Sequence, residues 1–534
     1  MKTRKYLVAA VSAAIFLAGC EGDDGADGTN GANGADGFNS LVAFRDLPVG
    51  DAVCLGGGLV LDSGLDTNRN DMLDSSEVQA TEYFECAATP VLRALHASPD
   101  APLVNIWIDG APALTDVDFN QGSGFVGVGQ AMNVTENGAD VNVQVEAILP
   151  GGNGVVLDTT LPLEFGSETT VIASGSIEAA TFGPILITNE AGEPIADGSF
   201  RAQVVHAAPS APPVDVYVTA LDGELVNPVN GGDPLAFGEF TGRLEVPAGD
   251  YQIRIAVPGA PPTVVYDSGE IPLAAGADLM IVATENVFLG DSAVQLMVLD
   301  GVSATPLYDA STGAAALAVH LSPPNTPAVD ILADVGSTAE VEMIKLVDNL
   351  AYTEACVIAP VGAPEDYTLS VVATGDTTSV LDIPYTANVN EGTAVIVSGR
   401  LEDASLQAIP LGVDGRRVWT EAQLRITHGS PSTPNVDIYL LTDGVLPGDE
   451  GVVPAFSDVP FGADTGVLRI EPGVTYDAYV TATGSTVPAI SLTDFTPANG
   501  QVLEVIARDA FGAEMAPQAL IIDYDAIDNC SGPS

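Results

Sequence analysis

Basic residues are scarce in this chain: 16 lysines and arginines face 72 aspartates and glutamates, for a formal net charge of −56. Nucleic acids and anionic lipid headgroups are bound by clustered lysine and arginine, so this balance excludes both as partners. The charge favours solubility in salt and the attraction of divalent cations, which leaves two interpretations, a salt-tolerant surface or a cation-binding function. With 46% hydrophobic and 16% charged residues the chain can bury several cores, which excludes a disordered acidic tail.

Long apolar runs are also absent, since no segment after the first 20 residues has 18 uninterrupted apolar residues, as a membrane-spanning helix requires. The chain begins with a basic stretch, Lys2–Lys5, and a short apolar one, Tyr6–Ala18, a pattern typical of a secretory signal. The sequence LAGC ending at Cys20 resembles a bacterial lipobox, which implies a signal peptide of residues 1–19 and a lipid on Cys20. An ordinary signal with a chance cysteine is the alternative. Glu21 after the cysteine favours, by analogy, the outer membrane of a Gram-negative bacterium, with the lipid as the only membrane contact.

Cysteines number only five, and four remain once Cys20 is set aside. An even number in an exported protein indicates disulfides, and four cysteines allow three pairings. We favour Cys54 with Cys86, which would close one compact module. Cys356 with Cys530 then follows by elimination and would tie the C-terminal tail back to an earlier part of the chain.

Glycine recurs at every third residue in the segment that follows the lipobox, from Gly22 to Gly37. This pattern resembles a short collagen-like Gly-X-Y run, in which three chains need glycine at the axis. The run has no proline and few triplets, so we interpret residues 20–40 as a flexible tether, with a trimer as the alternative.

Residues 41–88 form a predicted module bounded by two cysteines, and its segment DTNRNDMLDSSE resembles an EF-hand calcium loop. The resemblance assigns six ligands to one Ca²⁺ ion: Asp66, Asn68, Asn70, the Met72 carbonyl, Asp74 and Glu77. The sixth position is Asp71, where glycine is expected for a sharp turn. The residues before the loop indicate a strand and a turn instead of a helix. A calcium site and a plain acidic loop are the two interpretations.

Four near-copies of one phrase follow: HASPDAPLVNIW from His96, HAAPSAPPVDVY from His206, HLSPPNTPAVDIL from His320 and HGSPSTPNVDIY from His428. They lie 110, 114 and 108 residues apart and contain all four histidines of the chain, which indicates one folding unit copied in tandem. Short alternating runs such as YQIRIAV and TAVIVSG, separated by turn residues, predict an all-β chain. We therefore expect four tandem Ig-like β-sandwiches, at residues 89–199, 200–313, 314–421 and 422–534.

Each phrase places a histidine, two prolines and an acidic or amide residue before an apolar strand. The histidines pair in order with the polar positions Asn105, Asp215, Asp330 and Asp437. The prolines end one strand and redirect the chain, and the imidazole would bond the carboxylate or a nearby carbonyl across that corner. A metal-ligand or catalytic role is disfavoured because metal sites usually gather two or three imidazoles, and histidines on separate domains, like beads on a string, cannot converge easily.

The repeated phrase resembles the bacterial family catalogued as domain of unknown function 4397, over residues 89–534. That resemblance implies β-sandwich domains in exported, often lipid-anchored or wall-anchored proteins, and it implies no activity.

Motifs of catalysis are missing: there is no G-x-S-x-G, phosphate loop or H-E-x-x-H. The segment GSGFVG from Gly122 to Gly127 matches G-x-G-x-x-G without a surrounding βαβ unit, so we interpret it as a chance match. We predict no catalytic residue and a non-enzymatic surface lipoprotein, a rod of sandwiches for adhesion or for binding extracellular polymer or envelope partners. A structural spacer is the alternative, and a carbohydrate-active or metal-dependent enzyme is a weaker one.

Overall fold

The computed structural model describes residues 37–48, 51, 53–54, 56–86, 88–127, 133–135, 138–287, 291–322, 327–335, 343–511, 514 and 516–530. Cys20, the signal segment and most of the tether lie outside these residues. The described part of the chain consists of strands and turns with no helix, and so holds no helix long and apolar enough to span a membrane. It divides into two compact units, which are described separately.

The smaller unit, Met1–Asp46 with Leu59–Glu85, contains a sheet of three strands in the order β1-β2-β3. The strands are β1 (Asn39–Leu47), β2 (Gly58–Asp66) and β3 (Val78–Cys86). The buried carboxylate of Asp62 on β2 accepts hydrogen bonds from Arg45 Nε (2.8 Å) on β1 and Thr81 Oγ1 (2.6 Å) on β3. These bonds lower the pKa of Asp62, Arg45 contributing most, so the carboxylate stays charged and holds the two outer strands to the central one.

The larger unit, Leu47–Gly58 with Cys86–Ser534, contains four sandwiches, and the first has sheets ordered β12-β11-β4-β7 and β10-β9-β5-β6, with β8 paired to β9. Its strands are β4 (Val91–His96), β5 (Val104–Ile108), β6 (Ala111–Val117), β7 (Val126–Gly127), β8 (Asn133–Thr135), β9 (Gly138–Ala147), β10 (Gly154–Glu164), β11 (Ser167–Ser174) and β12 (Gly183–Glu190). Leucine, isoleucine, valine and alanine from both sheets make up its core.

The second sandwich has sheets ordered β15-β13-β18-β19-β20 and β14-β16-β17. Its strands are β13 (Ser199–His206), β14 (Asp215–Thr219), β15 (Leu244–Pro247), β16 (Gly249–Val257), β17 (Thr263–Leu273), β18 (Asp278–Glu285), β19 (Val294–Leu299) and β20 (Ala304–Leu307). Its core adds two buried aromatic side chains, Phe200 and Tyr266, to the aliphatic ones.

The third sandwich has sheets ordered β24-β21-β27-β28 and β23-β22-β25-β26, and the fourth has β32-β29-β35-β36 and β31-β30-β33-β34. The strands of the third are β21 (Ala314–Leu321), β22 (Val329–Val335), β23 (Met343–Leu350), β24 (Ala355–Val361), β25 (Glu365–Ala373), β26 (Ser379–Ala387), β27 (Gly392–Ser398) and β28 (Gln407–Val413). Those of the fourth are β29 (Ala422–His428), β30 (Val436–Thr442), β31 (Phe456–Val459), β32 (Leu468–Ile470), β33 (Tyr476–Ala482), β34 (Pro488–Phe495), β35 (Val502–Arg508) and β36 (Gln518–Asp523).

One topology recurs in all four sandwiches and confirms the predicted tandem all-β fold. The strand that ends at the motif histidine, or one residue beyond it in repeat 3, pairs in parallel with a later strand of its sheet: β4 with β11, β13 with β18, β21 with β27 and β29 with β35. We call this the histidine sheet of each repeat. The strand after the motif lies in the opposite sheet, so the two prolines carry the chain from one sheet to the other.

The histidine sheets also pack against each other in pairs. Repeats 1 and 2 share a buried cluster that contains Leu95, Ile172, Val205, Met280 and other apolar residues. Repeats 3 and 4 share a second cluster, with Val319, Ile396 and Ile506 among its members. The expectation of separate beads on a string is therefore wrong, because each histidine sheet carries apolar residues on both faces and buries both.

The two pairs use the same hydrogen bond at the centre of their interfaces. The hydroxyl of Ser174 in repeat 1 donates to the carbonyl of Ala207 in repeat 2 at 2.7 Å. The hydroxyl of Ser398 in repeat 3 donates to the carbonyl of Gly429 in repeat 4, also at 2.7 Å. Each accepting residue follows the motif histidine, so the two interfaces have the same register.

A buried arginine joins the two pairs of repeats. Arg416 lies in the connection between repeats 3 and 4 and is 2% exposed. Its guanidinium donates to the carbonyl of Ala101 at 2.8 Å and pairs with the carboxylate of Asp118, both in repeat 1. Close by, the backbone N–H of Trp419 donates to the backbone carbonyl of Asp100 at 2.8 Å. The motif turn of repeat 1 is thus held by residues that lie about three repeats later in sequence.

Both predicted disulfides are present in the structure. Cys54 bonds Cys86 across 32 residues, and Cys356 bonds Cys530 across 174 residues. The second bond ties the C-terminal tail to strand β24 of repeat 3, where Cys530 N–H also donates to the carbonyl of Val357 at 2.8 Å.

Candidate functional site

The predicted calcium loop connects β2 to β3 and begins on a buried carboxylate. Asp66, the last residue of β2, is 1% exposed. Its two carboxylate oxygens accept the backbone N–H groups of Asn70 (3.0 Å) and Asp71 (2.9 Å). Because these donors come from four and five residues later, the chain curls around the Asp66 carboxylate.

Glu77 closes the loop from the other end. It is 5% exposed, and Oε1 accepts hydrogen bonds from the Thr67 hydroxyl (2.8 Å), Thr67 N–H (2.8 Å) and Asn68 N–H (3.0 Å). Its second oxygen accepts the N–H of Asp74 at 3.2 Å. These bonds, that from the Thr67 hydroxyl foremost, lower the pKa of Glu77, so the residue stays a carboxylate at neutral pH.

The side chains predicted as ligands lie close together. The amide groups of Asn68 and Asn70 donate to one oxygen of Asp74 at 2.6 and 3.0 Å. Asn70 Oδ1 accepts the N–H of Met72 at 2.8 Å, and the Met72 side chain is exposed. The loop thus brings two amides to the Asp74 carboxylate, whereas the carboxylates of Asp66, Asp74 and Glu77 do not lie within 4.8 Å of one another as a group. Carboxylates and amides are the oxygen donors that Ca²⁺ prefers.

Asp71 adopts the turn for which glycine was expected. Its φ is 59°, in the left-handed region, which aspartate tolerates better than most residues with a side chain. A real close approach occurs instead at Gly64 on β2, where a Cβ would lie 1.9 Å from the carbonyl oxygen of Glu77. Gly64 therefore allows the end of the loop to pack directly on β2, a requirement that the loop pattern alone did not reveal.

The motif histidines hold the corners between sheets, each 0% to 1% exposed. In three repeats Nε2 bonds the carbonyl of the second motif proline: His96 with Pro102 (3.0 Å), His206 with Pro212 (3.1 Å) and His428 with Pro434 (3.2 Å). A carbonyl only accepts, so Nε2 carries the proton. The other nitrogen, Nδ1, accepts the backbone N–H two residues further on, at 3.3 to 3.4 Å. The corner bond therefore runs to a carbonyl and not to the motif carboxylate.

Burial keeps these imidazoles neutral. Desolvation lowers the pKa of His96 and His320 to about 4 and lowers the pKa of His206 and His428 as well. The Pro327 carbonyl lies near the His320 ring and opposes this lowering of its pKa, although among the described residues neither ring nitrogen meets the geometry of a hydrogen bond. The third phrase has one residue more than the others, which changes the spacing from His320 to Pro327.

The acidic or amide position of the motif fixes a neighbouring turn. In three repeats its side-chain oxygen accepts the backbone N–H of a residue with a φ of 54° to 58°. Asn105 accepts from Asp116 (3.1 Å), Asp330 from Asn349 (2.9 Å) and Asp437 from Asp458 (2.9 Å). In repeat 2 the partner of Asp215 is the side-chain amide of Asn230, at 2.8 Å. The position is structural, which explains why an amide serves in repeat 1.

Two further sequence features have structural explanations. In the GSGFVG segment, a Cβ on Gly124 would lie 2.4 Å from the Val302 carbonyl oxygen of repeat 2, and a Cβ on Gly122 would lie 2.7 Å from the Ala94 carbonyl oxygen of its own repeat and 3.2 Å from Ala304 Cβ of repeat 2. These glycines permit packing between repeats. One carboxylate group among the described residues was not predicted: Asp443, Asp477 and Asp494 come from separate strand ends of repeat 4, and their carboxylate oxygens lie within 4.8 Å of one another. Nothing in their spacing distinguished them among so many acidic residues.

Comparisons with known proteins agree with the repeat structure. The family model described as Domain of unknown function (DUF4397) matches residues 90–217, 202–332 and 314–439, and a model described as Domain of unknown function (DUF7151) matches residues 39–86. The solved structure of the Bacillus anthracis TIE protein shows 12% identity, covers 89% of this chain and 76% of that chain, and gives a TM-score of 0.14. A likeness at that TM-score carries no argument. Among curated proteins nothing matches this chain.

Proposed function

This chain belongs to the family described as Domain of unknown function (DUF4397), and we propose that it is a non-enzymatic lipoprotein of the cell surface that binds extracellular polymer, a surface protein or an envelope partner. The observation that carries this proposal is that the motif residues have structural roles. Three of the four histidines and three of the four acidic or amide positions bond the backbone at corners and turns, and His320 is fully buried, so the motif residues have structural roles.

Repetition itself favours a binding role. Several copies of one domain on one anchor allow weak contacts to add up to firm attachment. The loops at the ends of each sandwich vary between repeats while the corners stay alike, and such loops are where β-sandwiches usually carry ligand sites.

The test is binding by the ectodomain, residues 21–534, to a panel of polysaccharides and to whole cells, in calcium and then in EDTA. Saturable binding supports the proposal, and its loss in EDTA adds calcium to it. Absence of binding in both buffers would favour a structural spacer. The buried contacts between repeats support that second function, because packed domains resist bending better than domains on free linkers.

The anchor is a separate proposal: Cys20 carries a lipid that holds the protein on the outer membrane. In the native host, Cys20→Ser should move the full chain from the membrane fraction to the soluble fraction, whereas Gly19→Ala, which keeps a small residue before the cysteine, should not. A Cys20→Ser protein that stays with the membranes would contradict the lipid anchor.

We also propose that the loop from Asp66 to Glu77 binds one Ca²⁺ ion, held by Asp66, Asn68, Asn70, Asp74, Glu77 and the Met72 carbonyl. The ion would draw the three loop carboxylates together, neutralise their charge and stiffen the connection between β2 and β3. In the full chain, calcium should slow hydrogen exchange of residues 66–77, and Asp66→Ala with Glu77→Ala should abolish that effect. The exposed Glu82→Ala is the matched control, and equal protection with and without calcium in the unsubstituted protein would contradict the site.

A further inference from the structure

Two turns, one in repeat 1 and one in repeat 3, are built alike. They have the sequences SGSIEAATF, from Ser174, and SGRLEDASL, from Ser398. Both start on a glycine of positive φ, 91° and 97°, and both hold an alanine at a φ of 53° or 58° five residues later. Thr181 N–H donates to the carbonyl of Ser176 at 2.9 Å, and Ser405 N–H donates to that of Arg400 at 3.1 Å. Ser176 and Arg400 therefore occupy equivalent positions.

Repeats 2 and 4, which pack against repeats 1 and 3, also carry acidic residues at equivalent positions. In repeat 2, Glu285 accepts hydrogen bonds from the hydroxyl (2.5 Å) and the N–H (3.3 Å) of Ser210. In repeat 4, Asp509 accepts the hydroxyl and the N–H of Ser432 at 2.7 and 3.4 Å, both on Oδ1, whereas the two bonds from Ser210 reach different oxygens of Glu285. Ser210 and Ser432 each lie four residues after the motif histidine, so Glu285 and Asp509 are equivalent as well.

The pairs differ in what lies between these two positions. In the pair of repeats 3 and 4, Arg400 Nη2 bonds Asp509 Oδ2 at 2.6 Å and crosses the interface. In the pair of repeats 1 and 2 the equivalent residue is Ser176, which is too short to cross and bonds Asp100 at 2.7 Å instead. A pocket of about 400 Å³ remains there, with Ser176 and Glu285 in its lining.

The pocket has an excess of negative charge. Asp100, Glu178, Glu285 and one cation, Arg417, line it. Arg417 pairs with Asp525, which is not part of the lining, so its charge is already matched. The Asp100 carboxylate accepts the N–H groups of Ile177 (2.8 Å) and Glu178 (2.9 Å) and is fixed in place. The pocket is thus a preformed acidic cavity at the location where the other pair holds a guanidinium.

We propose that this pocket binds a guanidinium group supplied from outside the chain, in the manner of an arginine side chain, at the position equivalent to that of Arg400. The group would bond Glu285 as Arg400 bonds Asp509. Its source, a peptide segment of a surface partner, rests on the proposed function, whereas the chemistry of the pocket does not depend on it.

The first experiment titrates L-argininamide into the ectodomain, with citrullinamide as the control, since it keeps the α-amino group and nearly the same shape but has an uncharged side chain. We expect one site with a dissociation constant on the order of 1 mM, as for a single exposed charged contact, and no binding of citrullinamide. Ser176→Arg should fill the pocket and abolish binding, and Glu285→Gln should weaken it about tenfold. Circular dichroism confirms that both variants are folded. Absence of wild-type binding, or binding that Ser176→Arg leaves intact, would overturn the proposal.

The second experiment opens the equivalent position. Arg400→Ser should create a pocket between repeats 3 and 4 and raise the stoichiometry for L-argininamide from one to two. Arg400→Gln, which keeps most of the side chain, is the control and should retain one site. A folded Arg400→Ser protein that still binds one equivalent would contradict the equivalence of the two positions.

A third comparison identifies the source of the guanidinium. Tighter binding of acetyl-Gly-Arg-Gly-amide than of L-argininamide would assign the source to a peptide, and equal or weaker binding would assign it to a free cation. A negative polysaccharide panel would count against the proposed function but not against guanidinium binding by the pocket.

Discussion

The pair of repeats 1 and 2 and the pair of repeats 3 and 4 have the same apolar interface but different polar surroundings. In the first pair, Arg243 of repeat 2 bonds Glu168 of repeat 1 at 2.6 Å, and Arg93 stacks on Phe125 with its guanidinium carbon 4.3 Å from the ring centroid. The second pair has an ion pair on the motif turn, an aromatic contact across the interface and a disulfide nearby.

That difference separates what the fold requires from what it tolerates. The apolar clusters and the serine-to-carbonyl bond are common to both pairs, so they set the geometry of packing. The ion pairs, the rings and the disulfide differ, so they adjust the strength of a geometry that is already determined. Partly exposed ion pairs contribute little to stability, which leaves room for such variation.

The largest expected effect is loss of the disulfide in the second pair. A bond that closes 174 residues restricts the unfolded chain strongly, and removing it should destabilise repeats 3 and 4 by about 5 kcal/mol. Hydrogen exchange measured on Cys356→Ala with Cys530→Ala should show faster exchange in β24 and β36, with repeats 1 and 2 unchanged. The matched control, Cys54→Ala with Cys86→Ala, should leave repeats 3 and 4 as they are. Faster exchange spread evenly over all four repeats would show that the pairs do not unfold separately.

Arg416 tests whether the two pairs depend on each other. Arg416→Ala leaves Asp118 and the Ala101 carbonyl without their buried partner and should destabilise the protein by about 4 kcal/mol. Hydrogen exchange should quicken at residues 99–101 and 118–121 of repeat 1, far along the sequence from the substitution. The neighbouring Arg417, 57% exposed, provides the control, and Arg417→Ala should change stability little. If both substitutions had equal effects, the connection between pairs would not depend on the buried guanidinium.

Acid should weaken both pairs together, because each contains one histidine whose pKa in the folded protein is about 4. In the unfolded chain these histidines take up protons near pH 6.5, whereas the folded protein keeps them neutral. The stability that the folded protein gains from this difference is complete above pH 6.5 and is lost as the pH falls toward 4. Each of the two histidines should account for about 3 kcal/mol. Urea unfolding between pH 7.5 and 4.5 measures this loss, and His96→Gln, which can still donate to Pro102, should remove part of the pH dependence. An unchanged pH profile in that variant would contradict the assignment.

The sequence predicted much of this fold because the repeated motif contains the residues that form the corner between the two sheets of each sandwich. Four copies of a histidine, two prolines and a β-rich period were enough to indicate four sandwiches, and the even number of cysteines, with elimination, indicated both disulfides. The sequence also contains a pattern that predicts the packing of the repeats in pairs. The strand AAALAVHL of repeat 3 is apolar at nearly every position, a pattern typical of a strand buried on both faces, whereas an exposed sheet would alternate.

Other contacts had no signal in the sequence. Arg416 sits beside a second arginine in a polar connection, and nothing distinguishes the one that becomes buried from the one that stays exposed. The partner of each motif histidine is a backbone carbonyl, and carbonyls are the same in every residue, so only the three-dimensional corner identifies it. In the predicted calcium loop, by contrast, the spacing of side-chain oxygens is itself the pattern, and the structure places Asn68, Asn70 and Asp74 in contact while the calcium site itself stays a prediction.

The smallest expected effect concerns the serine bond that the two interfaces share. Ser174→Ala and Ser398→Ala each leave one buried carbonyl without its donor, which should destabilise the affected pair by about 1 kcal/mol. Since the bond lengths and positions match, the two losses should be equal within the error of urea unfolding. Ser167→Ala, which removes a hydroxyl bonded within its own repeat, controls for the loss of a hydroxyl as such. A larger loss for Ser174→Ala would show that the disulfide of the second pair compensates for the missing bond, and the common geometry would then depend on covalent support in one pair and on hydrogen bonding in the other.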